Sequence, residues 1–205
     1  MAQGMIGCMT SISPKDVGAA TRLCRRTLEP VVNEDWTVRA GSLDWDCRQT
    51  TAHIADALGF YAAHLGSRAT EWLKFDVVAH PDASNLHLVR LVEAMGDVLV
   101  QVLAAAPDDA VAFHHSGMQD KKTITAMGCL EVLVHTGDVA DGLNVTFEPP
   151  RELCSTVIAS SFVGAPVDQD PWRILRWATG RGHLEGQPSL GPDWEAYWLR
   201  SAPDR

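Results

Sequence analysis

A carboxylate and an imidazole four residues apart inside an apolar run constrain this chain more than any other feature. The run from Gly128 to Ala140 reads Gly-Cys-Leu-Glu-Val-Leu-Val-His-Thr-Gly-Asp-Val-Ala, with Glu131 and His135 as the pair. Four residues of α-helix advance about 400° and about 6 Å, so the two side chains share a face. Burying both groups is costly unless something pairs with them. A divalent metal is one such partner, because deprotonated carboxylate and neutral imidazole are both donors. The same spacing also suits an exposed glutamate beside a hydrogen-bonded structural histidine. A metal would need a third ligand from elsewhere, with His53 as the candidate and His64 in reserve. These two lie eleven residues apart, about 16 Å along one helix, so a mononuclear site takes only one of them. Spacing does not choose between them.

The frame around this run is that of a soluble globular protein. At 205 residues the chain suits one domain, or one domain with an extension, and can bury a sizeable core. A formal charge of -9 argues against nucleic-acid and anionic-membrane partners, which call for basic patches. No apolar run approaches the ~20 residues of a membrane span. No signal peptide is visible in Met1 to Thr10, so a cytoplasmic location is expected. Five cysteines, at positions 8, 24, 47, 129 and 154, form no C-x-x-C pair. An odd count in that pattern suits reduced, mostly buried thiols and no disulfide framework.

Periodicity and capping predict a mostly α fold. Ser13-Pro14 opens a first helix that stops near Val32. Asp46, with Gln49 three residues on, opens a second through Leu65, ended by Gly66. Trp72 to Val78 and Ala110 to His115 read as short extended pieces. A third helix is predicted from about Ser84 to Ala105, with His87 and Glu93 on its solvated face. Asp120 caps a fourth that runs through Glu131 and His135 to about Leu143. Adjacent residues of a strand point oppositely, so His114 and His115 do not chelate together. Asp138, three residues after His135, either orients a ligand imidazole or is a surface acid. Beyond Pro149-Pro150, a fifth helix around Leu153 to Phe162 and a sixth from Asp170-Pro171 lead to an anchor of Trp194, Tyr197 and Trp198. The expected division is a four-helix bundle over 1–146 and a helical extension over 147–205, packed on it.

Four amphipathic helices, a histidine early in the second and an E-x-x-x-H pair in the fourth resemble the DinB-like superfamily. The closer resemblance is to its mycothiol-dependent maleylpyruvate isomerase-like branch. It rests on Asp44-Trp45-Asp46-Cys47 leading into His53-Ile54-Ala55, on Glu131 to Asp138, and on Trp177-Ala178-Thr179-Gly180-Arg181. The resemblance covers most of residues 13–145 and, less specifically, the tail. It implies a metal, usually zinc, held by His53, Glu131 and His135 at one end of the bundle. It also implies a thiol-dependent transferase or isomerase using a low-molecular-weight thiol such as mycothiol. The isomerase itself is expected to carry a larger C-terminal domain than the tail that follows Pro150 here.

Three protein ligands leave a metal position open, as in catalytic zinc sites, and a thiol bound there loses its proton readily. The thiolate could then attack a small electrophile without a protein nucleophile. Arg181, which follows the glycine ending the sixth helix, is the candidate partner for a carboxylated thiol or substrate, ahead of Arg173 and Arg176. The expected partners are therefore a small-molecule substrate and a small thiol, and a homodimer is a further expectation. Two alternatives use the same triad: a non-haem Fe(II) enzyme, and a non-catalytic bundle that binds metal or ligand.

Overall fold

The computed structural model describes residues 11–201. Four long helices form the bundle: α1 (Pro14–Leu28), α2 (Cys47–Ser67), α3 (Asn85–Ala105) and α4 (Lys121–Gly142). Their starts follow from local chemistry. The Asp16 carboxylate accepts hydrogen bonds from the Ser13 backbone and hydroxyl, at 2.8 Å each. Asp46 and Gln49 form the reciprocal capping box of α2. Ser84 caps α3, and Asp120 caps α4 by accepting from Thr123 N–H. Each such cap satisfies backbone donors that the first helical turn leaves free.

Around the bundle, α1 packs on α3 and α4, and α2 packs on the same two helices. Thus α1 lies diagonally across from α2. Ile54, Leu58 and Leu65 of α2 meet Leu99 and Leu103 of α3 and Leu133 of α4 in one fully buried core. A hairpin of β1 (Val111–His114) and β2 (Gly117–Asp120) joins α3 to α4, pairing His114 with Gly117. Helices α5 (Arg151–Ser161) and α6 (Pro171–Ala178) follow; α5 packs on α4, and α6 on α5. The short α7 (Trp194–Ser201) sets Trp198 against Phe162 and Trp177. The fold is mostly α, a four-helix bundle with further helices packed after it.

Several boundaries differ from the sequence-based expectation. α1 ends at Leu28, and a 3-10 turn over Glu29–Val31 carries the chain on. Gly66 lies inside α2, whose stop is Arg68 in the left-handed region at φ 51, with its N–H bonded back to His64 and Leu65. The segment Trp72 to Val78 forms no strand; it is pinned instead by side chains of α2. Val77 N–H donates to Asp56 Oδ1 (2.6 Å), and Leu73 N–H to His64 Nε2 (3.1 Å). The expected strand at Ala110 to His115 is present, and its partner β2 was not anticipated. Cys24, Cys47, Cys129 and Cys154 are free and buried; Cys8 lies outside the described residues.

Candidate metal centre

α2 and α4 bring three of the predicted residues together. His53 stands in the second turn of α2, and Glu131 and His135 one turn apart on α4. One donor atom from each lies within 4.8 Å of the other two. Glu131 Oε2 is 3.3 Å from His135 Nε2 and 3.6 Å from His53 Nε2. The two imidazole rings stand 5.0 Å apart and nearly perpendicular, at 88°. Tetrahedral ligands at about 2.0–2.1 Å from an ion are about 3.3 Å from each other. The two separations to Glu131 are close to that value and the third is within 4.8 Å, so the donor set fits a divalent metal.

The cluster is half open. The side chains of His53, Glu131 and His135 are 33%, 25% and 11% exposed, leaving a face on which a small molecule could act. Trp45 lies edge-on to His53 at 5.0 Å and is itself exposed. It gets there because the loop ahead of α2 crosses the end of α4 at Gly142. A Cβ at that position would stand 2.3 Å from the Arg39 carbonyl oxygen.

Beneath the cluster runs a buried polar chain. His135 Nδ1–H donates to Asp138 Oδ2 at 3.0 Å, which leaves Nε2 as the donor atom facing Glu131. Asp138 is 2% exposed. Its carboxylate accepts from Arg181 Nε at 3.0 and 2.9 Å, and Arg181 Nη1 also donates to the Thr179 carbonyl. Arg181, expected to meet a carboxylated thiol or substrate, is instead engaged by Asp138 and is 11% exposed. Arg176 bonds Asp141 one turn further along α4, while Arg173 is exposed.

The electrostatics are those of a tightly coupled cluster. Burial alone would raise the Glu131 carboxyl, but hydrogen bonds from His135 and His53 and their charge hold it well below the usual carboxylate range. Burial pulls His135 down, yet its bonds to Asp138 and Glu131 outweigh that and raise it above the ordinary imidazole value. Burial, reinforced by Glu131, pushes the Tyr61 phenol well up, so it stays a protonated donor.

Two neighbours went unassigned in the sequence. Tyr61 Oη donates to Glu131 Oε1 at 3.4 Å, a long bond from two turns further along α2. Its position on the same side of the helix as His53 was the available signal. His114 lies 6.1 Å from the Tyr61 ring. Its Nδ1 accepts from Ser116 N–H at 3.1 Å, and burial together with His115 lowers its affinity for a proton. Only the hairpin, with its unanticipated second strand, brings it there. The other histidines stand apart. His64 is buried with both nitrogens bonded, Nδ1–H to the Phe60 carbonyl (2.8 Å) and Nε2 to Leu73 N–H. His80, His87 and His115 are exposed or tied to local turns.

Fold and cluster together describe a mostly helical protein with a two-histidine, one-carboxylate cluster of the kind that can hold a metal. No family model matches the chain, and neither does any curated protein. A solved structure that it resembles is the crystal structure of a histidine-to-alanine mutant of mycothiol-dependent maleylpyruvate isomerase. The match has a TM-score of 0.58 at 16% identity and covers 82% of this chain and 88% of that one. At this identity the likeness establishes the fold.

Proposed function

We propose that the protein is a metal-dependent enzyme that activates a low-molecular-weight thiol, such as mycothiol, for transfer to or isomerisation of a small electrophile. The observation that carries this reading is the convergence of His53 Nε2, Glu131 Oε2 and His135 Nε2 on a half-open face. These three residues would hold the ion. When bound, a divalent metal supplies an open coordination position and a positive charge that favours thiolate over thiol. His135 is held in the tautomer that presents Nε2 by its bond to Asp138. The Tyr61 hydroxyl limits rotation of the Glu131 carboxylate. Trp45 gives the open face an apolar edge beside His53. The four buried cysteines offer no competing nucleophile. Fold likeness to a mycothiol-dependent isomerase supports the thiol as cosubstrate, and a donor set of two imidazoles and a carboxylate suits zinc.

Metal analysis of the purified protein, combined with calorimetry of mycothiol and related thiols, tests this. About one divalent ion per chain is expected. His53→Ala and His135→Ala should lose it, and thiol binding should need it. Stoichiometric metal in both variants sinks the ligand set. Thiol binding of equal strength with and without metal removes the activation mechanism. Bound iron with oxygen-dependent turnover would replace it with oxygenase chemistry.

A further inference from the structure

The chain after residue 150 reaches the metal centre through one turn. At the end of α6, Gly180 N–H donates to the Trp177 carbonyl (2.9 Å) and Arg181 N–H to the Arg176 carbonyl (2.8 Å). With Gly180 at φ +75, this is a Schellman stop. A Cβ at residue 180 would stand 2.0 Å from the Gly191 carbonyl oxygen, so the turn requires glycine. Arg176, in the last turn of α6, and Arg181, just past the reversal, face one side of α4. Arg176 Nη2 meets Asp141 Oδ2 at 2.6 Å, and Arg181 Nε straddles the Asp138 carboxylate at 3.0 and 2.9 Å.

The two pairs are not equivalent. Arg176 and Asp141 are 30% and 40% exposed, where an ion pair contributes little. Arg181 and Asp138 are 11% and 2% exposed. There a carboxylate without its counter-charge is strongly unfavourable and would seek other partners. The other group on Asp138 is His135 Nδ1, at 3.0 Å. The side chain that neutralises Asp138 thus also decides how firmly it can hold the imidazole.

We propose that Arg181 is a positioning residue of the metal centre: it fixes Asp138, which holds His135 with Nε2 toward Glu131 and His53, so that the C-terminal extension completes the centre. This rests on the metal reading above. It is separable from plain electrostatics by sign. A cation near the site repels a metal ion, so on charge alone its removal should tighten binding. On positioning, its removal should loosen binding.

The test is zinc affinity by chelator competition on the full chain, with thermal unfolding of each metal-free form as a fold control. Arg181→Gln is expected to bind zinc ten- to a hundredfold more weakly, the range seen when ligand-orienting partners are lost. Arg181→Lys keeps the charge without the planar guanidinium and should also be weakened. Asp138→Asn should lose affinity too, and the double variant Arg181→Gln with Asp138→Asn should bind no more weakly than Asp138→Asn alone. Zinc affinity in Arg181→Gln equal to or above that of the parent overturns the proposal, as does additive loss in the double variant. If Arg181→Gln does not fold, a parent-like affinity in Arg181→Lys overturns it instead. A parent protein that binds no divalent ion overturns the metal reading itself, whereas tight parental binding with an indifferent Arg181→Gln overturns this inference alone.

Discussion

Replacing His64 by alanine should destabilise the fold and spare the metal, the opposite of what the same change does at His53. His64 is 1% exposed. Its Nδ1–H donates to the Phe60 carbonyl at 2.8 Å, and its Nε2 accepts from Leu73 N–H at 3.1 Å. The ring also lies against Phe60, Phe75 and Phe113, with centroids at 3.9, 5.9 and 5.8 Å. Two buried hydrogen bonds contribute about 1 kcal/mol each, and the ring contacts about 1 kcal/mol more. The sum is ~3 kcal/mol, equivalent to a fall in Tm of about 6–12 °C for a chain of this size. His53 has a third of its side chain exposed, and its Nε2 lies 3.6 Å from Glu131, beyond a good hydrogen bond. His53→Ala in the metal-free protein should therefore cost less than about 1 kcal/mol. Urea unfolding of both metal-free variants, with zinc content measured in parallel, gives the two readouts. A loss below 1 kcal/mol in His64→Ala, or loss of its metal, would refute the assignment of His64 to structure.

Gly180→Ala places a side chain at positive φ and drives it into the Gly191 carbonyl. With about 1–2 kcal/mol for the left-handed backbone and about 1–3 for the overlap, the denaturation midpoint should fall by ~3 kcal/mol equivalent; a neutral substitution contradicts the turn. Buried thiols are pushed up to about 11 at Cys24 and Cys47 and to about 12 at Cys154, so native protein should react with an aromatic disulfide reagent at Cys8 at most. Rapid labelling of a second thiol contradicts that burial. His135 has a raised pKa in the metal-free fold, so its contribution to stability is complete below the unfolded value of about 6.5 and is lost as pH rises through the folded one. Metal binding displaces that same proton, so zinc affinity should climb with pH across the window in which metal-free stability declines. Calorimetry in buffers of different ionisation enthalpy reads the proton release, and a pH-independent affinity contradicts it.

How much was legible in the sequence depended on the range of the interaction that sets each feature. Helix starts at Ser13, Asp46, Ser84 and Asp120 were legible because the cap and its partner lie within three residues. The cluster was legible in part, since Glu131 and His135 share one helix face. The choice of His53 over His64 was not, because it turns on which end of α2 faces α4. That is set by the packing of a whole bundle, and spacing had to borrow from a family resemblance. Asp138 was ambiguous for a related reason: whether a late-helix acid is buried depends on α6 and the turn after it covering α4. The strand expected at Trp72 to Val78 failed because its backbone donors go to Asp56 and His64, side chains of α2 that no local pattern reveals.

Where the binding energy of the ion goes distinguishes an enzyme from a metal-stapled bundle. The triad lies on a partly exposed face, while the core formed by Leu58, Leu65, Leu99, Leu103 and Leu133 closes without it. In a structural zinc site the ligands substitute for a core, and chelators unfold the domain. Here the apolar interior of four helices of 15 to 22 residues is complete in their absence. Removing metal with a chelator should therefore leave the helical circular dichroism intact and the thermal transition cooperative. Free zinc at a thousand times its Kd should then raise stability by about 4 kcal/mol, or about 8–16 °C in Tm, by mass action alone. A metal-free protein that loses its helical signal at room temperature would assign the ion to the fold. The half-open coordination face would then lose its claim to be an active site.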